Sequence, residues 1–327
     1  MAYRKIGSIM KDCGIAPAQW GTPFCPVQLG ERNTVHVVAM GDVGTTMVTG
    51  LRLLGGDVIA RIGIFDVNNE NMLRLEQELN QIRYLGGEPA LPEVVCLSEG
   101  ELFSCDVLIF CASKGVPPVG SADTDVRMAQ LEANRQIVEY YGDLAREAKF
   151  QGLVAVVSDP VDPLCKVFLE SGCLKPWQVQ GYGLGVMDAR AAYFAERESR
   201  FASYLEHGRV YGPHGQDLVV ANSIAQYDDD LSRKLTRLTV DANRMVRSLG
   251  YKPYIAPALS SAALSILLTL RGDWHYGSLY FGNEGDGAFL GIRNRMTESG
   301  PVFEDALLEE TLYLRIRQAY EALRALR

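Results

Sequence analysis

The stretch GYGLGVMDARAAYF (181–194) carries a carboxylate and a guanidinium two residues apart, Asp188 and Arg190. Farther along, VYGPHGQD (210–217) sets His214 between glycines after a short β-prone run. An imidazole in a turn can take up and release a proton near neutral pH. A carboxylate beside it can hold its tautomer, and a guanidinium can grip an anionic group through paired hydrogen bonds. Each helical residue turns by about 100°, so a spacing of two sends Asp188 and Arg190 in different directions. The pattern leaves open which of the two faces His214.

A second group of residues suits a phosphate-bearing ligand. VVAMGDVGTT joins a short strand to a helix. The dinucleotide-binding pattern G-x-G-x-x-G would there read Ala39, Gly41 and Gly44, with the first glycine replaced. Gly41 lets the backbone approach a pyrophosphate, and Gly44 allows the helix to pack closely. The helix start at Gly41, Asp42, Val43 and Gly44 offers unpaired N–H groups and the positive end of the helix dipole. The next strand ends in IFDVNN, with Asp66 22 residues beyond Gly44. An acid at that position suits a ribose hydroxyl. Val67, Asn68 and Asn69 follow it without a cation to neutralise a 2′-phosphate, so NAD is expected over NADP. The bland alternative for Asp66 is a helix N-cap with no ligand.

These groups need a scaffold. At 327 residues the chain exceeds most single cores, and two domains are expected. A net charge of −8 argues against a nucleic-acid partner. No run reaches the roughly 18 apolar residues of a membrane span, and APALSSAALSILLTL (256–270) reads as a buried helix. The N-terminus lacks the long apolar core of a secretory signal. Seven cysteines, an odd number without a C-x-x-C, fit buried thiols in a reducing cytoplasm; structural zinc is not expected.

Residues 1–33 read as an extension that either packs on the body or reaches a neighbouring subunit. β-rich runs at 34–40, 58–67, 93–98, 106–112 and 153–159 alternate with helical patterns at 69–82 and about 123–149. This is the signature of an α/β fold, a parallel sheet covered on both faces, over residues 34–182. Residues 183–327 change character: helical segments at 186–205, 231–248, 256–271 and 304–326, with short β-like runs between them, imply a mixed α+β second domain. The last carries an apolar stripe of Leu308, Leu312, Ile316, Ala319, Leu323 and Leu326.

Over about 34–326 the sequence resembles the lactate/malate dehydrogenase family. G-P-H-G stands where that family has G-E-H-G, and S-D-P-V-D (158–162) where it has S-N-P-V-D. Arg127 and Asn134 keep the spacing of the family's lid arginine and following asparagine. YIAPALSSAA (254–263) is similar to the A-P-A helix of bacterial malate dehydrogenases, and GAFLGI to a late strand. The resemblance implies a Rossmann domain followed by a catalytic domain, an NAD cofactor and a homodimer or homotetramer. It makes His214 the proton carrier, Arg127 the lid group that polarises the substrate carbonyl, Asn134 a substrate contact and Arg190 the carboxylate anchor.

Three departures follow. Met187 falls on the family's His-orienting Asp, with Asp188 displaced by one residue, so either Asp188 reaches His214 or the imidazole works without its usual partner. Asp159 replaces a substrate-binding Asn. The lid ASKGVPPVGSADTDVR (112–127) is long and has Lys114 as its only cation besides Arg127. Lys252 could line the pocket. A small polar 2-oxo or 2-hydroxy acid other than malate is the expected substrate. Two alternatives stand beside it. Asp159 suits an imine reductase or amine dehydrogenase acting on a cation, and the altered motifs suit a family member that binds NAD(H) without turnover.

Overall fold

The computed structural model describes residues 2–114 and 124–326, without the side chains of 124–130. The strands are β1 Tyr3–Lys5, β2 Asn33–Val38, β3 Ile59–Phe65, β4 Glu93–Cys96, β5 Val107–Phe110, β6 Leu153–Val156 and β7 Val179–Gly181, then β8 Arg209–Tyr211, β9 Val219–Ala221, β10 His275–Gly282, β11 Gly287–Thr297, β12 Gly300–Phe303 and β13 Leu307–Glu309. The helices are α1 Ile9–Asp12, α2 Asp42–Leu54, α3 Asn69–Asn80, α4 Thr124–Glu147, α5 Val161–Ser171, α6 Gly185–Ala195, α7 Tyr204–His207, α8 Asp229–Ser248, α9 Ser265–Arg271 and α10 Glu310–Ala325; a π-helical stretch, Pro257–Leu264, leads into α9.

The main sheet runs β12-β11-β10-β7-β6-β5-β2-β3-β4. From β4 through β2 to β7 it is parallel, in the doubly wound order whose switch point lies beside β2. Successive residues of its strands go to opposite, equally dry faces. Val35, Val37, Val107, Ile109, Leu153 and Ala155 join α2, α3 and α9. Val38, Leu108, Phe110, Val154 and Val156 join α4 and α5. That is why these strands read as unbroken apolar runs rather than alternating ones.

The antiparallel ribbon β10-β11-β12 extends the same sheet beyond β7. The residues of β10, HYGSLYFG, include the β-forming Tyr276, Tyr280 and Phe281, but Gly277, Ser278 and Gly282 interrupt the run. The N-terminal segment packs on the body: β1 pairs with β13, and Ile6, Ile9 and Ile15 are buried against α10. Leu308, read as the start of the last helix, sits in β13 but is buried in the same cluster as Leu312, Ile316, Ala319 and Leu323.

Candidate active site

The dinucleotide motif forms the turn between β2 and α2. Ala39 adopts φ +75°, the left-handed conformation that normally selects glycine, so the replaced first glycine is held in strain. Gly41 caps α2, and a side chain there would project into open space. The first N–H groups of α2, at Asp42, Val43 and Gly44, have no carbonyl a turn behind them. Gly44 has no room for a side chain, because a Cβ would lie 2.1 Å from the Ala39 carbonyl oxygen. Asp66 stands at the end of β3. Its carboxylate accepts from Met40 N at 2.6 Å and Asn68 N at 2.9 Å, locking the turn beside it. It is not the α3 N-cap; Asn68 fills that role by accepting from Asn71 N. Lys252 reaches this region from the segment that precedes the π-helical stretch, with Nζ 3.4 Å from Asp42 Oδ2.

His214 rides on the loop of the β8-β9 hairpin. Gly212, at φ +91°, makes the bend, and its N–H donates to Gly291 O at 3.0 Å, pinning the loop to β11. Gly183, just past β7, leaves room for the imidazole; a Cβ there would lie 2.9 Å from His214 Cβ. The other histidines are spent elsewhere. His36 bonds Leu102 O, and His275 is buried between Gln180 and Thr269, burial pushing it down to about 4. His207 is exposed beside Glu206.

The carboxylate on His214 is Asp159. Asp159 Oδ1 lies 3.0 Å from Nδ1, and its side chain is 54% exposed against 14% for His214, so Asp159 is the outer member of the pair. The expectation that Asp188 orients His214 is corrected. Asp188 accepts a 2.6 Å hydrogen bond from Tyr204 Oη, and burial raises its carboxyl above the usual range. The one-residue displacement turns it about 100° around α6, toward α7 and away from the imidazole. Met187 occupies the neighbouring buried position, its sulfur 3.6 Å from Arg190 Nη1.

Arg190 is half-buried and donates to Asn243 Oδ1 at 2.7 Å. Burial works against its charge, and Asp159 works for it. Asn134 also differs from expectation. It is fully buried, and its amide ties Asp159 O (2.8 Å) to Lys114 N (2.9 Å), so it positions Asp159 instead of presenting itself to a substrate. Arg127 lies in the first turn of α4, and its side chain is outside the described residues, as are lid residues 115–123.

Two participants escape a reading of the sequence. Asn243, on α8, carries no local signal. Asp162, the second acid of S-D-P-V-D, is visible as a motif member but not as a buried group. Among the described residues it is almost wholly buried, with one oxygen unpartnered.

The doubly wound parallel sheet, with a glycine turn at its switch point and an acid at the end of β3, defines an α/β protein of the Rossmann type. Comparisons agree. No protein-family model matches the chain. Malate dehydrogenase of Sorangium cellulosum is 26% identical over 281 residues, 78% of this chain and 86% of that one. L-lactate dehydrogenase of Staphylococcus saprophyticus is 25% identical over 186 residues, 56% of this chain and 55% of that one. Among solved structures, MGS-M5, a lactate dehydrogenase from a Medee basin deep-sea metagenome library, superposes with a TM-score of 0.74 at 18% identity, covering 90% of this chain and 97% of that one. Malate dehydrogenase of Picrophilus torridus gives 0.71 at 18% identity, covering 89% and 95%. The chain is thus similar in sequence, and across most of its length in fold, to lactate and malate dehydrogenases.

Proposed function

We propose that the protein is an NAD-dependent oxidoreductase that interconverts a small polar 2-oxo acid, other than the malate partner oxaloacetate, and its 2-hydroxy acid. The observation that carries this reading is the Asp159–His214 pair beside Arg190, at the same sheet edge as the α2 N-terminus. Gly41, Asp42, Val43 and Gly44 would hold the pyrophosphate, and Asp66 the ribose. Bound there, the nicotinamide supplies or accepts the hydride.

The chain's own residues handle charge and the proton. Arg190 binds the substrate carboxylate. The proton is held between His214 Nδ1 and the Asp159 carboxylate, at the edge of the ring facing the cleft. Asn134 fixes the backbone that carries Asp159. Arg127, by resemblance, completes the site from the lid. The lid 112–127 carries only Lys114 besides Arg127 and so lacks a further arginine for a second carboxylate, which favours a substrate with one carboxylate over one with two. Asp159 is turned onto His214 and Arg190, so its charge is already engaged; this disfavours the amine-acting reading. The division near residue 182 into nucleotide and substrate halves, a homo-oligomeric state and a cytoplasmic location belong to the same proposal. Among the described residues no helix is long and apolar enough to cross a membrane.

The test is His214→Ala. Turnover of a 2-oxo acid should fall by about 100-fold or more, as for loss of a general acid, while NADH affinity is retained. Undiminished turnover would overturn the role.

A further inference from the structure

A second carboxylate, Asp162, interacts electrostatically with His214. Asp162 lies in the first turn of α5, where the helix dipole favours an anion. Its Oδ1 is buried without a partner, and so is His214 Nε2, the ring nitrogen not used by Asp159. An unpaired buried polar atom costs roughly 1–3 kcal/mol, and two at one site call for a common explanation. The two residues share a neighbour: Gly183 lies under both His214 and Val161, the residue next to Asp162. Burial pushes the Asp162 carboxyl up to about 6, while the Ser278 hydroxyl and the charge of His214 pull it back down.

We propose that Asp162 is the inner positioning residue of His214, standing in for the carboxylate lost at Met187, so that the imidazole works between an outer acid, Asp159, and an inner one, Asp162. The inference rests on the reading of His214 as proton carrier. An ionised Asp162 stabilises the imidazolium through space or through one bridging water, without direct contact, and leaves the Nδ1 edge at the cleft. The groups that face Asp162 are Ser278 from β10, Cys165 one turn along α5, and His214 and Asp159 from the strand-end loops. On its far side a cavity of about 840 Å³ runs along α5, with Arg135, Lys166, Glu170, Asp286, Glu321 and Arg324 on its walls. Solvent there supplies the proton that Asp162 takes up or releases as it titrates.

The experiment is an NMR titration of His214 in the full-length protein labelled with ¹⁵N-histidine. With four histidines in the chain, His214→Ala assigns the signal. In Asp162→Asn the His214 midpoint should fall by about one unit, the scale of a lost charge partner, and the tautomer balance at high pH should change. Asp162→Ser, a smaller neutral side chain, should give the same shift and guards against a folding failure of the first variant. A midpoint unchanged in both variants, with Asp159→Asn alone moving it, would overturn the proposal. The titration reads this coupling whether or not a 2-oxo acid is turned over, so its failure is distinct from failure of the proposed reaction.

Discussion

Replacing Asp162 with Asn should make the protein more stable, by an amount that grows with pH. The carboxyl is buried and pushed up to about 6 from an ordinary 3.8. A raised carboxylate pKa means that ionisation is penalised in the folded state. The penalty is absent below about pH 4, develops between pH 4 and 6, and is complete above pH 6. Two units at about 1.4 kcal/mol each put the full penalty near 3 kcal/mol, with about half of it present at pH 5. Asparagine keeps the shape and cannot ionise. A chain of 327 residues unfolds with an entropy of about 0.7 kcal/mol per kelvin, so the gain corresponds to about 4 °C in Tm at pH 8 and about 2 °C at pH 5. Thermal melts of both proteins followed by circular dichroism at these two pH values make the measurement. A variant no more stable than the parent at pH 8, or a gain equal at both pH values, would refute ionisation of Asp162 as the cause.

Two further substitutions test other parts of the site. Ala39→Gly relieves a left-handed alanine worth about 1–2 kcal/mol, offset by the roughly 0.5–1 kcal/mol that glycine's extra freedom costs; denaturant melts should show a gain of about 0.5–1 kcal/mol. Asp159→Asn should lower kcat by about 100-fold, whereas Asp188→Asn, which alters a bond to Tyr204, should lower it less than tenfold; steady-state rates of the two variants decide between the carboxylates.

The parallel strands were legible because both faces are dry, which writes long apolar runs into the chain. Gly44 was legible because its demand is local, the Ala39 carbonyl five residues back leaving no room for a side chain; Asp66 was legible from its place at a strand end 22 residues on, and it ties that strand back to the glycine turn at Met40. The direction of Asp188 was not. A one-residue shift on a helix is plain in sequence, but whether α6 slips to absorb it depends on what packs beside it, and here Tyr204 takes the carboxylate. Asp159 as partner of His214 and Asn134 as a backbone tie each arise from contacts between segments far apart in the chain. The strand β10 was hidden for a different reason: Gly277, Ser278 and Gly282 break up its aromatic run, and pairing with β7 and β11 completes it.

The account's central claim is tested most directly by following NADH oxidation by the purified protein over a panel of monocarboxylic and dicarboxylic 2-oxo acids, each with and without ammonia, for the parent and for Arg190→Gln. The account predicts oxidation with a monocarboxylic acid in the absence of ammonia, little with oxaloacetate, and a loss of about 100-fold in kcat/KM when the Arg190 charge is removed. Oxidation that requires ammonia, or NADH binding without oxidation of any 2-oxo acid, would contradict it.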